Sequence, residues 1–159
     1  MEKQTEIFKK GELLSKALVL MVNSHHGQFD RGGNPYALHP ISVLNILGGE
    51  DEELQCIALL HDVVEDTDVT FKKLESEGFT KRIIDAIRIL TKMPGQTYEE
   101  YVEGVLSNTD SMKVKKADLT HNSDLTRLKG IRDKDIERMG KYQIFYYKIQ
   151  QKLLSLGEA

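Results

Sequence analysis

The sequence predicts an all-α fold, and three features carry that prediction. Apolar residues recur at three- and four-residue intervals along almost the whole chain. No stretch alternates in the manner of a strand. The interruptions fall at Gly, Pro and good helix-capping residues. With 159 residues, 40% of them hydrophobic, the chain is long enough for one domain, 1–159, around one core. The reading is a bundle of about seven to nine helices.

Each helix has its own justification. Leu13, Leu14, Ala17, Leu18, Met21 and Val22 mark a first amphipathic helix that runs out near Asn23 and Ser24. The segment from His25 to Leu38 carries Gly27, Gly32, Gly33 and Pro35 and must be a loop. His39 and Pro40 open a second helix, proline being suited to a first turn, and Gly48 and Gly49 stop it. Asp51 caps a central helix expected to end near Thr67. Thr70 and Thr80 start two more, reaching Gly78 and Leu90. Pro94 and Gly95 break the pattern, and Thr97 with Glu100 has the spacing of a capping box. Asp110 is expected to cap the helix carrying Lys115 and Asp118, and Asp133 a long last helix. On that helix Ile136, Met139, Gln143, Tyr146 or Tyr147, Leu153 and Leu154 mark one side, and Tyr142, Phe145, Tyr146 and Tyr147 read as core or oligomer-contact residues.

Composition excludes several roles. A net charge of −3 argues against a nucleic-acid binder. No apolar stretch approaches membrane-spanning length, and Met1 to Glu6 is too polar for a signal peptide. The lone Cys56 sits in an apolar run, so no disulfide forms within the chain and a reducing cytoplasm fits. Oligomeric state and any toxin partner stay open.

The chemistry concentrates in the central helix. Upstream, Cys56 to Leu60 are all apolar, and Val63 and Val64 separate His61 and Asp62 from Glu65 and Asp66. A helix apolar on every side is buried all round, and ionised carboxylates there are costly unless compensated. A divalent cation is the simplest compensation. Imidazole and carboxylate suit Mn²⁺, Fe²⁺ or Zn²⁺, and His39, His61, Asp62 and Asp118 form the candidate ligand set. Glu65 and Asp66 fall one turn beyond His61 and Asp62, where a carboxylate can orient a metal-bound water or move its proton. Negative charge at a helix C-terminus is unfavourable, so their placement asks for a function.

Four pieces carry a resemblance: His25 to Phe29, Asn34 to Pro40, Ala58 to Thr67 and Val114 to Asn122. With His39, His61, Asp62 and Asp118 in that order, the chain resembles HD-type metal phosphohydrolases. More specifically, it is similar to the hydrolase domain of RelA/SpoT alarmone enzymes and to the small alarmone hydrolases. The resemblance implies an HD-domain helical bundle, one Mn²⁺ on His39, His61, Asp62 and Asp118, and Glu65 and Asp66 as the catalytic carboxylates. It implies removal of the 3′-pyrophosphate of (p)ppGpp to give GDP or GTP, with Asn122 contacting the nucleotide substrate. The chain after Asp118 is too short for the family's synthetase domain.

Three further residues are expected to meet substrate. Arg31 could grip a phosphate or stack on a base, Lys115 could reach the phosphates from the face of Asp118, and Tyr36 could line the pocket through its ring. Arg127 is a weaker candidate. His25 and His121 read as supports for the loop and the Asp118 helix, and His26 has no role. Asp30 stands where the bifunctional enzymes usually carry a basic residue, and Ser123, Asp124 and Leu125 replace a frequent Met-Arg-Thr. These changes leave open an adenosine alarmone or NADPH 2′-phosphate as substrate. A non-catalytic nucleotide-binding or antitoxin-like module is the third reading, disfavoured because the ligand and Glu-Asp positions are all filled.

Overall fold

The helices expected from spacing are present, with one break that spacing does not foretell. The computed structural model describes residues 11–158, so the polar opening at Met1 to Glu6 lies outside the described residues. The helices are α1 (Glu12–Ser24), α2 (Leu38–Leu47), α3 (Glu52–Leu60), α4 (Val63–Asp66) and α5 (Phe71–Ser76). They continue with α6 (Lys81–Leu90), α7 (Tyr98–Leu106), α8 (Thr109–Asn122), a 3₁₀ turn (Leu125–Arg127) and α9 (Asp133–Ser155). Among the described residues there is no strand, only an isolated bridge between Phe29 and Pro35. None of these helices is long and apolar enough to cross a membrane.

Helix α3 is the centre of the bundle. It packs against α1, α2, α6 and α8, so every side of it meets protein, and Cys56, Ile57, Ala58, Leu59 and Leu60 are wholly buried. Met21 and Ala17 of α1, Val43 of α2, Ile83 and Ile87 of α6, and Val114 of α8 close around it. Burying a valine, leucine, isoleucine or methionine side chain stabilises by about 1.5–3 kcal/mol before chain entropy is counted. Burial pushes the Cys56 thiol up to about 12, with Glu52 and Glu53 adding to the shift. The thiol therefore stays protonated and inert.

The caps explain where the helices begin. Asp51 accepts from Leu54 N, Thr70 from Lys73 N and Thr80 from Ile83 N. Thr97 and Glu100 make the reciprocal capping box. Two expected caps are corrected. Asn108, not Asp110, caps α8, its Oδ1 taking Ser111 N at 2.8 Å. Asp110 instead meets Arg82, which also binds Asp51 and Glu53 and so ties the N-terminal ends of α3 and α8 together. Arg132, not Asp133, is the N-cap of α9, and its backbone N–H donates to Asp135. The buried side of α9 is Asp135, Phe145, Ile149 and Leu153, whereas Ile136, Leu154 and Tyr147 face outward.

The central helix does not run unbroken to Thr67. It stops at Leu60, and a separate turn, α4, begins at Val63. The cause is local: His61 Nδ1 donates to Ala58 O at 2.7 Å, competing for a carbonyl in the last turn of the helix. Asp62, at φ −106° and ψ −5°, then restarts the chain. Because the break turns the chain, Glu65 and Asp66 emerge at the surface rather than inside the core.

Removing the α8 cap should be felt globally. Asn108→Ala is expected to cost about 1 kcal/mol, lowering the melting temperature by roughly 2–4 °C in a calorimetric scan.

Candidate metal centre and adjoining cavity

His39 and His61 lie buried at the ends of two helices that face the middle of α8. His39 belongs to the first turn of α2, and its backbone N–H donates to Tyr36 O at 2.9 Å. His61 is fixed by its bond to Ala58, which places the proton on Nδ1 and turns Nε2 inward. Asp62 follows at the helix break, and Asp118 is 3% exposed in the interior of α8. His39 Nε2 is 3.0 Å from Asp118 Oδ1 and 3.6 Å from Asp62 Oδ2. His61 Nε2 is 2.9 Å from Asp62 Oδ2 and 3.6 Å from Asp118 Oδ1. Three segments distant in sequence thus bring four ligand atoms together.

The donors suit a divalent cation: one ligand atom each from His39, His61 and Asp62 lies within 4.8 Å of the others, and Asp118 Oδ1 stands 3.0 and 3.6 Å from the two imidazoles. Ligands about 2.1 Å from a common ion stand about 3.0–3.4 Å apart along the edges of an octahedron or tetrahedron. The four spacings, 2.9 to 3.6 Å, fall around that range. His61 Nε2 is fully buried and has no hydrogen-bond partner; with the proton on Nδ1 it offers a lone pair to the interior. An imidazole nitrogen left so is oriented for a cation rather than for a carboxylate. Electrostatics agrees. Burial disfavours charge on His61, yet Asp62 and then Asp118 outweigh it and raise its pKa. Burial also works against ionised Asp118, but Lys115 and the two imidazoles hold its carboxyl well below the ordinary range. Positive charge is favoured here.

A surrounding layer fixes the ligands. His121 Nδ1 is 2.7 Å from His39 Nδ1. Burial, followed by Arg127, pulls the His121 pKa down to about 4, so it is neutral and accepts the His39 proton, leaving His39 Nε2 to face the carboxylates. Lys115 donates to Asp118 Oδ2 at 2.7 Å and lies beneath the rings of Tyr101 and Phe145. Asn122 donates to Asp118 Oδ1, also at 2.7 Å. Lys115 is therefore turned toward Asp118 rather than out to the phosphate position expected of it. Asn122 does two things, since it also borders the cavity described below. His25 is buried and its Nδ1 pairs with Gln28 Oε1.

Glu65 and Asp66 stand at the edge of this cluster. Ligand atoms of Asp62, Glu65 and Asp66 all lie within 4.8 Å of one another. Glu65 is held by the Lys92 amide, which donates to its Oε1 at 2.7 Å. Partial desolvation raises the Glu65 carboxyl, the Lys92 amide opposes, and Asp62 adds to the rise. Asp66 is raised as well, by desolvation and then by Asp62. Both carboxyls are shifted toward holding a proton.

A cavity of about 250 Å³ opens beside His39 and Tyr36. Arg31, Arg127 and Arg138 border it, together with Phe29, Met139 and Tyr142. Arg138, Tyr142 and Phe29 were not singled out for substrate by their sequence pattern. The organising residue, Asp135, was missed too. Its 1%-exposed carboxylate binds Arg132 and Arg138 and lies 3.8 Å from Arg31. The other wall is the 25–37 loop, pressed so closely on the 3₁₀ turn that a Cβ on Gly32 would stand 2.2 Å from Arg127 O.

A family model described as HD domain matches residues 36–140. The chain belongs to the HD-domain family. It is 37% identical over 134 residues to the putative chloroplastic GTP diphosphokinase RSH1 of Arabidopsis thaliana, an alignment covering 72% of this chain and 15% of that protein. It is 36% identical over 112 residues to the guanosine-3′,5′-bis(diphosphate) 3′-pyrophosphohydrolase of Haemophilus influenzae, covering 63% of this chain and 16% of the relative. The Escherichia coli bifunctional (p)ppGpp synthase/hydrolase SpoT is 31% identical over 123 residues, 69% of this chain and 17% of SpoT. The chain thus spans about a sixth of the length of these curated relatives. Its fold is shared with a solved structure of a metazoan ortholog of SpoT, described as hydrolysing ppGpp, at a TM-score of 0.72 and 22% identity over 93% of this chain and 97% of the other.

Cation binding to the folded HD domain alone should stabilise it. At a hundredfold excess over its dissociation constant, Mn²⁺ is expected to add about 2.7 kcal/mol, a rise of roughly 5–10 °C in melting temperature. Asp118→Ala should abolish that rise in the same scan.

Proposed function

We propose that the chain is a divalent-cation-dependent phosphohydrolase that removes the 3′-pyrophosphate of (p)ppGpp, with one Mn²⁺ held by His39, His61, Asp62 and Asp118. The observation that carries this reading is the junction of two features: a His-Asp cluster edged by Glu65 and Asp66, and an arginine-bordered cavity that meets it at His39 and Tyr36. Similarity to the H. influenzae and E. coli proteins, named for the same hydrolysis, supports the choice of substrate.

A cation at this site supplies Lewis-acid polarisation and a water of lowered pKa. The chain's own groups do the rest. Glu65, fixed by the Lys92 amide, and Asp66 beside it position the attacking water and accept its proton at a carboxylate oxygen. The water oxygen bonds to phosphorus, the bond from phosphorus to the 3′ oxygen breaks, and that oxygen takes a proton. Pyrophosphate leaves, and GDP or GTP remains. Arg31, Arg127 and Arg138 bind the nucleotide's negative charge, Asn122 contacts the nucleotide, and the faces of Phe29 and Tyr142 accept its base. Lys115 contributes by securing Asp118.

The residues that opened the question of another base have local work. Asp30 accepts from Gly32 N and Asn34 N and pairs with Arg127 at 3.0 Å. Asp124 accepts from Thr126 N at the start of the 3₁₀ turn. Both shape the cavity wall, so their acidic character alone does not call for another substrate; the choice of (p)ppGpp rests on the similarity to the H. influenzae and E. coli proteins.

Incubating the Mn²⁺-loaded protein with ppGpp, pppGpp, an adenosine alarmone and NADPH, and separating products by ion exchange, tests the reading. Pyrophosphate with GDP or GTP is expected; release of orthophosphate from NADPH with ppGpp untouched would overturn it. The double variant Glu65→Gln, Asp66→Asn is expected to lose at least about 100-fold in kcat while still binding Mn²⁺.

A further inference from the structure

The two ligand carboxylates are held very differently. Asp118 has a dedicated donor on each oxygen, Lys115 on Oδ2 and Asn122 on Oδ1. Asp62 lies at a helix break, and its side chain is 18% exposed. Among the described residues it receives one hydrogen bond from outside the imidazole pair. That bond comes from Tyr36, whose hydroxyl donates to Asp62 Oδ2 at 2.5 Å across 26 residues of sequence. The accepting oxygen is the one that faces His61 Nε2 at 2.9 Å.

Tyr36 is itself tightly placed. Its backbone N–H donates to Gln28 O, and its carbonyl accepts from the N–H of His39. Its ring packs between His25 and His39, with centroids 4.8 and 5.6 Å away. The same side chain borders the nucleotide cavity. One residue therefore joins the turn that presents His39, the carboxylate of Asp62 and the cavity wall.

We propose that Tyr36 is a positioning residue for the metal ligand Asp62: its hydroxyl fixes the carboxylate of Asp62 in the orientation that completes the cation site. This rests on the metal reading above and gives Tyr36 a role beyond lining the cavity. A flexible carboxylate at a chain break must give up rotamer freedom to ligate. A hydrogen bond from a ring locked between two imidazoles meets that cost before the cation arrives. Partners of metal ligands commonly contribute about 10–100-fold in metal affinity or activity when removed.

Tyr36→Phe isolates the hydroxyl, because it leaves the ring between His25 and His39. Titration of metal-free protein with Mn²⁺, following the free ion by electron paramagnetic resonance, is expected to show binding weakened about tenfold or more, with no nucleotide present. Raising Mn²⁺ to saturation should then restore most of the kcat on ppGpp. Unchanged Mn²⁺ affinity, with only KM for ppGpp raised, would overturn the proposal and leave Tyr36 as a substrate contact alone. Failure of the parent protein to bind Mn²⁺ would instead remove the metal reading on which it rests.

Discussion

Two carboxylates brought together beside two imidazoles in a largely dry interior are the constraint on which this fold turns. Asp118 is almost completely buried, and an isolated carboxylate there would be strongly destabilising. It is tolerated because α2, α3 and α8 converge to surround it with Lys115, Asn122, His39 and His61. The central position of α3 follows from the same need. Its apolar sides let it be enclosed by α1, α2, α6 and α8, and that enclosure holds His61 against the interior of α8. The break after Leu60 belongs to this arrangement. By taking Ala58 O, His61 fixes its ring and ends the helix in one contact, so Glu65 and Asp66 emerge at the edge of the cluster.

On the cavity side, cations are likewise organised by opposite charges. Asp135 gathers Arg132, Arg138 and Arg31, while Asp30 pairs with Arg127. Guanidinium groups anchored by part of their fork lose less freedom when they meet a phosphate. The cavity thereby gains preorganised cations without a large net charge, consistent with a chain whose net charge is −3. The His-Asp cluster and the cavity meet where Tyr36 and His39 share a turn. The 25–37 loop, with Gly32 packed against Arg127 O, sets the shape of that meeting point.

Local signals were legible in the sequence where local chemistry decides the outcome. Thr97 with Glu100, and Asp51 ahead of an apolar run, mark helix starts because their hydrogen bonds close within three residues. His61 and Asp62 could be picked out because a polar pair in apolar surroundings demands a partner, while His39 and Asp118 are marked as their companions by the family resemblance; the fold brings both aspartates within 3.6 Å of the two imidazoles. What spacing could not reveal depends on distant contacts. Asp110 reads as a cap as readily as Asn108 until Arg82 is seen to engage it. Lys115 lies on the face of Asp118, but only the rings of Tyr101 and Phe145 show that it stays beneath them. Arg138 and Tyr142 border the cavity because α9 folds back over α8, and no motif within α9 announces that. The break at His61 left no glycine or proline to mark it.

The central claim is that these four side chains share one cation. Anomalous diffraction from crystals grown with Mn²⁺, collected on either side of the manganese absorption edge, addresses it without reference to substrate. The account predicts a single strong peak within bonding distance of His39 Nε2, His61 Nε2, and carboxylate oxygens of Asp62 and Asp118. A fully loaded crystal with its peak elsewhere, or with either imidazole turned away from the ion, would contradict it.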